Sequence, residues 1–558
     1  MVKRYLAITE VSQKQAYIFS RNELRYNVKN SAAIAWITDP DYFRRAAGEV
    51  FNEAENLVYA GGGHSVLQFG TEEAAKEFCR KLTLKVHKEF PKMDLFTKIV
   101  PYREDIDLDK KNVVVKLDPN KKADEVKTNA ANIRNLIAEL EKKKAIHQSS
   151  FHQGTYGIEE LDPVDFYPIL PISEENKELE KMIWKRIKAE DRKVLPVGYE
   201  MPLSFEELGG SKGSSNFIAV VHIDGNGMGN RVLEYQKTLP GSPEKWDCFC
   251  KELKTFSNDI DNAFKEAFRD MNGILAFNLQ KETSDEKNTD KKGTGEKNLL
   301  NEKLETLKDG VLPIRRIITS GDDICFVAEG RIGIECAAVF LEKLAAKEGK
   351  DKKAYAACAG VAIVHRSFPF YRAYDLAEQL CGNAKSVNAT ICPDKATGIS
   401  SIDWHLEFGE MQDRLCDIRK EYETKDGMKL ELRPYIVCEP DPVNSVADKR
   451  QYVQFLKNEK LLQEHPDYYS PGKVKELRGV LKQGKEKTEH YLTFSHMYDL
   501  TLESYQDVFK EIEYSMIGKG QGLEHKTFMT VPGDDKEHSI LFDAIEVMDT
   551  FIPLERQV

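Results

Sequence analysis

"RRIITSGDDICFVAEG", residues 315–330, sets two adjacent carboxylates, Asp322 and Asp323, between two apolar runs. Each run is short, rich in β-branched residues and bounded by small polar ones, which is the pattern of a strand. The centre, Ser320-Gly321-Asp322-Asp323, has turn chemistry, so the stretch predicts a β-hairpin with charge at its tip. Upstream, "FIAVVHIDGNGMGN" (217–230) is a continuous apolar run that stops at Asp224 and Gly225. It reads as a buried central strand, with a third carboxylate placed where the strand opens into a loop.

Between these two stretches, Trp246, Phe249, Leu253, Phe256, Ile260, Phe264 and Phe268 recur at three- and four-residue spacing. That spacing predicts one amphipathic helix. Residues 281–298, "KETSDEKNTDKKGTGEKN", are charged and Gly-rich and read as a disordered surface insertion. After the hairpin come a helix through "IECAAVFLEKLAAKEGK", a strand "AYAACAGVAIVH" and a helix "YRAYDLAEQLCGNAKSV". Strand, helix, hairpin, helix, strand is the order of a ferredoxin-like, palm-type unit, and it makes the chain an α+β protein.

The same order stands at the N-terminus: "KRYLAIT", "KNSAAIAWI", "NLVYAGGGHSVLQFG", "TEEAAKEFCRKLTLKVHKEF" and "LFTKIVPY". Laid on the later hairpin, Gly61, Gly62, Gly63 and His64 fall at Ser320, Gly321, Asp322 and Asp323, so the first copy keeps the turn without its carboxylates. The expected organisation is a degenerate first unit at 1–103, a helical connecting module at 104–214, a charged second unit at 215–408 and a helical C-terminal domain at 409–558. "YVQFLKNEKLLQEH" and "SYQDVFKEIEYSMI" carry the helical periodicity of the last.

At 558 residues and 41% hydrophobic, the chain can bury several cores. A net charge of −11 argues against a protein that coats nucleic acid unaided. Ten scattered cysteines without CxxC spacing read as reduced core thiols, with no zinc site expected. No apolar run reaches membrane-spanning length and "MVKRYLAITEVSQKQ" turns polar early, so a cytoplasmic protein without a membrane partner is expected.

Two neighbouring aspartates repel, and ionising both in a partly buried place is costly unless a cation lies between them. Mg²⁺ or Mn²⁺, which takes a few carboxylates plus water and substrate phosphates, resolves the conflict, and Asp224 would complete the ligand set. Two such ions activate a 3′-hydroxyl and stabilise a leaving pyrophosphate, which makes this a nucleotidyl-transfer centre. Gly321 and Gly225 would let backbone approach a phosphate, Ser320 keeps the turn small, and Gly227 in "GNGMGN" would turn backbone N–H groups toward a triphosphate. Lys385, late in its helix, is either a phosphate contact or a solvated lysine. An ordinary charged turn remains the competing reading of Asp322 and Asp323, as a plain turn residue does for His64.

Taken together, "SGDD", the upstream "HIDGNGMG" and the downstream "AGVAIVHRSFPFYRAYDLAEQLCGNAK" resemble the second palm domain of the Cas10 family, the large subunits of type III CRISPR complexes. Those domains are similar to GGDEF and class III nucleotide cyclases, and "SQKQAYIFSRNELRYNVKNSAAIAWI" looks like the opening of the first Cas10 palm. The resemblance implies metal ligands at Asp224, Asp322 and Asp323, a phosphate-contacting Lys385, and an acceptor nucleotide near Gly62, Gly63 and His64. It implies ATP as substrate, a cyclic oligoadenylate-type product, and RNA-guided CRISPR subunits and target RNA as partners. Ser320 departs from the family's "GGDD", the family's zinc-type cysteine pairs are missing, and the chain contains no His-Asp dipeptide, so DNase activity is not expected. A scaffold with a weakly active palm, and a template-directed polymerase, are the alternatives; no long basic groove with interleaved aromatics favours the polymerase.

Overall fold

Two sheets of unequal size carry the protein, seen in a computed structural model that describes residues 4–108, 114–118, 121–122, 125–146, 174–210, 216–279, 300, 303–407, 414–440, 450–464, 470–495, 527–531 and 533–556. The expected insertion at 281–298 and the expected helix at "SYQDVFKEIEYSMI" lie outside the described residues.

The first sheet consists of β1 (Tyr5–Val11), β2 (Leu57–Gly61), β3 (His64–Phe69) and β4 (Leu95–Pro101). Their order is β2-β3-β1-β4 and every neighbouring pair is antiparallel. Between β1 and β2 run α1 (Lys14–Ile18), α2 (Leu24–Ile37), α3 (Pro40–Ala47) and α4 (Glu53–Asn56), and α5 (Glu72–Glu89) joins β3 to β4. Thr71 caps α5 by accepting from the Ala74 N–H at 3.1 Å, so this helix starts where its sequence puts a threonine before an acidic first turn. A small hairpin of β5 (Ile106–Leu108) and β6 (Val114–Lys116) then leads to α6 (Thr128–Ile146) and α7 (Glu174–Val194).

The second sheet contains β7 (Phe217–Gly225), β8 (Ile314–Ser320), β9 (Asp323–Glu329), β10 (Ala357–His365), β11 (Ser400–Leu406) and β12 (Tyr435–Cys438), in the order β12-β11-β10-β7-β9-β8. Its β10-β7-β9-β8 part repeats the antiparallel order of the first sheet. Here α8 (Met228–Thr238) and α9 (Trp246–Leu279) follow β7, α10 (Gly333–Ala345) joins β9 to β10, and α11 (Phe370–Ile391) leads to β11, which runs parallel to β10. Both units therefore have the strand-helix-strand-strand-helix-strand order with the third strand between the first and second.

Helices cover both faces of each sheet, which is why β7 is an unbroken apolar run. On the second sheet, Ala219, Val221 and Phe326 face α9 and α10, while Ile218, Val220 and Val327 face α11. On the first, Ala7 and Leu67 face α2 and α5, while Leu6, Ile8 and Val66 face α6 and the start of α9. The two units exchange helices: α2 packs on β8 and α9 packs on β2.

Beyond the second unit are α12 (Leu415–Lys420), α13 (Tyr452–Glu464), α14 (Pro471–Leu481), α15 (Lys485–Phe494), a hairpin of β13 (Phe528–Val531) and β14 (Asp534–Ser539), and α16 (Phe542–Val547). This part is less purely helical than its periodicity predicts. β12 extends the second sheet past residue 408, and Arg433, fully buried, joins Glu546 and Asp543 of α16 to Asp403 of β11. The connecting module likewise contains a hairpin beside its helices. Among the described residues no helix is long and apolar enough to cross a membrane.

Candidate active site

The charged hairpin closes through two residues, Gly321 and Asp322, with Ser320 and Asp323 paired across it. Gly321 sits at φ +65°, a conformation that glycine adopts without strain at the first position of a tight hairpin turn. Across the sheet Asp323 lies directly opposite Asp224 at the end of β7, and the next residue, Gly225, donates its N–H to the Asp322 carbonyl at 3.1 Å. The fold thus gathers all three predicted aspartates at one sheet end.

Gly225 is there for space. A Cβ on it would lie 2.6 Å from Met228 Cγ and 2.8 Å from Asp322 Cβ. Gly227, at φ +63°, turns the chain into α8, and Asn226 ties this loop down by donating to the Ile399 carbonyl at 2.7 Å.

The carboxylates differ in their surroundings. Burial and the nearby Asp224 charge push Asp322 up to about 6, and burial with Asp224, Asp322 and Glu378 pushes Asp323 up to about 7. Asp323 Oδ1 is buried without a hydrogen-bond partner. The closest base, His222 Nδ1 at 3.5 Å, is held neutral by burial, which brings its pKa down to about 4. Asp224, by contrast, is engaged: Lys385 Nζ donates to its Oδ2 and, at 3.0 Å, to the Gly225 carbonyl. Burial alone would lower Lys385, but Asp224 outweighs it and keeps the ammonium above the usual lysine range.

Among the described residues no three His, Cys, Asp or Glu side chains are gathered closely enough to hold an ion as they stand, with Asp224 bound to Lys385. The donor set nevertheless suits a hard divalent cation. It offers carboxylate oxygens on adjacent strand ends, with Asp322 and Asp323 disfavoured as anions by burial and by the charge of Asp224, and one oxygen without a partner.

A cleft of about 530 Å³ opens between the two hairpin turns, lined by Gly61 to His64 on one side and Ser320 to Asp322 on the other. The first turn has both glycines at positive φ, Gly62 at +64° and Gly63 at +71°, a form that glycine adopts without strain at both central positions. Gly61, Gly62, Gly63 and His64 therefore stand in the register expected from the sequence, with Gly61 paired to His64 as Ser320 is to Asp323.

The correspondence runs further than the sequence suggests. Glu10 lies opposite His64 as Asp224 lies opposite Asp323, which puts a carboxylate in the first unit at the Asp224 position. Val11 donates to the Gly63 carbonyl at 3.1 Å, matching Gly225 and Asp322. Ser12 donates to Asp94 at 2.9 Å, matching Asn226 and Ala356. Gln13 occupies the left-handed region at φ +49°, matching Gly227, and each precedes the first residue of a helix, Lys14 and Met228. Lys144 of α6 binds Glu10 at 2.8 Å, as Lys385 of α11 binds Asp224.

Sequence reasoning missed Glu10, Lys14 and Lys144, because they reach this place through strand register and from a helix some 130 residues downstream. It also missed Glu378 and Tyr374 of α11, which receive the Gln15 amide from α1 at 3.2 and 3.3 Å and so join the two units beside Asp323.

No family model and no curated protein matches the chain. Solved structures similar to it include the Csm1-Csm4 cassette in complex with pppApApA, at 17% identity over 69% of this chain and 53% of that one, with a TM-score of 0.41. Others are the Csm1-Csm4 subcomplex of the type III-A CRISPR-Csm interference complex (15%, 69% and 53%, TM-score 0.42) and Csm1 in T. onnurineus (16%, 69% and 52%, TM-score 0.41). The match spans about half the length of those chains.

Proposed function

We propose that the chain is a nucleotidyltransferase of the palm or cyclase type that joins nucleotides, ATP by the sequence resemblance, into a cyclic oligoadenylate-type second messenger. The observation that supports this best is the facing of the two hairpin turns across one cleft, with Asp322 in its lining and Asp224 and Asp323 paired at the same sheet end.

Asp224, Asp322 and Asp323 would hold Mg²⁺ or Mn²⁺, which when bound supplies activation of a 3′-hydroxyl and charge neutralisation at the leaving pyrophosphate. The chain's own groups do the rest. Gly321 and Gly225 keep side chains out of the path of a triphosphate. Lys385 is placed to exchange its bond to Asp224 for one to a phosphate oxygen once that carboxylate turns to a cation. The first turn, with Gly62, Gly63 and His64, receives the nucleotide whose 3′-hydroxyl attacks. RNA-guided CRISPR subunits and target RNA belong to this reading as partners and activator.

A second reading, a scaffold that binds nucleotide with little turnover, is favoured by one observation: Asp224 is already neutralised by Lys385. Incubating the purified chain with each NTP and Mg²⁺ or Mn²⁺, beside an Asp322→Asn/Asp323→Asn variant, separates the two. A product found by mass spectrometry with the wild type alone supports the synthase. The same product from both proteins overturns the metal-site assignment.

A further inference from the structure

The two turns of the cleft are held by different means. At the first, a Cβ on Gly63 would lie 3.0 Å from Lys14 Cε and 3.1 Å from Ile34 Cγ2, so side chains wedge the tip in place. At the charged turn a Cβ on Gly321 would meet nothing within 4 Å among the described residues. Packing therefore does not fix the tip that carries Asp322, and a polar contact takes over. The Gly321 N–H, left out of the pairing of Ser320 with Asp323, donates to Asp261 Oδ1 of α9 at 3.3 Å.

Asp261 is itself fixed. Phe256, Ile260 and Phe264 are buried along one side of α9, which sets the rotation of the helix and so the direction of Asp261. Lys265, one helical turn on, donates to the other carboxylate oxygen, Oδ2, at 2.6 Å. That bond orients the carboxylate and balances its charge within the helix. Asp261 and Lys265 both line the cleft, together with Gly321 and Asp322. One turn earlier on the same helix, Ser257 stands at the first hairpin, its Oγ 3.8 Å from where a Cβ on Gly61 would lie. α9 thus touches both turns with residues four apart, a rise of about 6 Å.

We infer that Asp261 is a positioning residue for the charged turn: as acceptor for the Gly321 N–H it ties the hairpin tip to α9, so that Asp322 and Asp323 meet a divalent cation in a fixed arrangement. It acts through the peptide N–H, and the role needs its oxygen rather than its charge. The inference rests on reading Asp224, Asp322 and Asp323 as the metal site, and it adds a residue outside that set.

The test compares Asp261→Ala, which removes the acceptor, with Asp261→Asn, which keeps an amide oxygen in its place and removes the charge. Hydrogen–deuterium exchange at the Gly321 amide, resolved by mass spectrometry on the full chain in EDTA, reads the tether without metal. Mn²⁺ affinity, followed by electron paramagnetic resonance, reads the arrangement of the carboxylates. Asp261→Ala is expected to speed exchange about tenfold and to weaken Mn²⁺ binding about three- to tenfold, with both values within about twofold of wild type in Asp261→Asn. Lys265→Met, which frees Asp261 without touching the turn, should give a smaller change in the same direction, and it carries the test if Asp261→Ala fails to melt like wild type. Exchange or Mn²⁺ affinity indifferent to these variants overturns the inference. Equal weakening in Asp261→Ala and Asp261→Asn also overturns it, since that is the effect of a lost charge alone. Faster exchange in Asp261→Ala beside a wild type that takes up no Mn²⁺ would instead count against the metal-site reading, with the tether upheld.

Discussion

Lys385 Nζ bridges the Asp224 carboxylate and the Gly225 carbonyl, so the cation nearest the three aspartates belongs to the chain itself. A metal arriving at Asp224 must displace this half-exposed ion pair, which is worth about 1 kcal/mol or less. Lys385→Ala is expected to raise Mn²⁺ affinity by about two- to fivefold while lowering product formation, because the phosphate loses its lysine. Mn²⁺ titration followed by electron paramagnetic resonance, beside a turnover assay, checks both halves.

Removing charge at the hairpin tip should be harmless to the fold. Asp322→Asn with Asp323→Asn relieves repulsion between groups that the structure disfavours as anions, so product is lost while the melting temperature without metal stays or rises by a few degrees. A lower melting temperature would show that these carboxylates stabilise the hairpin, as ordinary turn residues do.

The same two groups give a pH dependence with a definite sign. Their folded pKa values, about 6 and about 7, lie above the unfolded carboxylate value. Their stabilising contribution is complete below about pH 4 and is lost as pH rises through the folded values. The groups facing them are Asp224, Glu378, His222, Lys385 and Lys14. The stability of the double Asn variant relative to wild type should therefore grow between about pH 5 and about pH 8 in EDTA, measured by chemical denaturation at each pH. A difference independent of pH would mean that neither carboxylate is shifted.

Much of this site is legible in the chain because apolar runs and glycines are local signals. β7, β8 and β9 announce themselves by β-branched residues, and Gly62, Gly63 and Gly321 mark turns whose φ values require them. Glu10 was invisible as a counterpart of Asp224, since only pairing opposite His64 gives it that position. "SQKQ" carries no periodicity, and Lys144 looks like one lysine among several at the end of α6. β14, "DDKEHS", is wholly polar and falls in the part expected to be helical, yet it pairs with β13 and its Ser539 and His538 are buried. Its strand character comes from tertiary packing.

Close packing behind the site offers a further check. A Cβ on Gly360 of β10 would stand 2.0 Å from the Ala377 carbonyl and 2.5 Å from the Cys381 nitrogen of α11. Gly360→Ala must push α11 off the sheet, at a cost of about 1–3 kcal/mol or more. Because α11 carries Lys385 one turn after Cys381, product formation should fall with stability, as urea unfolding and the turnover assay together would show.

At the far side of the second sheet, Arg433 is enclosed by Glu546, Asp543 and Asp403. Arg433→Ala leaves buried acids without their counter-ion and is expected to cost about 3–5 kcal/mol, read by denaturant unfolding. A loss below about 1 kcal/mol would mean that water or rearrangement replaces the guanidinium.

Each unit lends its first long helix to the other's hairpin strand, α2 to β8 and α9 to β2. Ile317 and Ile318 of β8 are buried in the same apolar cluster as Val28 and Ile34 of α2, and Val58 of β2 shares another with Phe249 and Leu253 of α9. Severing the polypeptide between the units would therefore expose a greasy strand edge on both fragments at once. The mutual loan couples the folding of the first unit to that of the second, whatever chemistry the cleft performs.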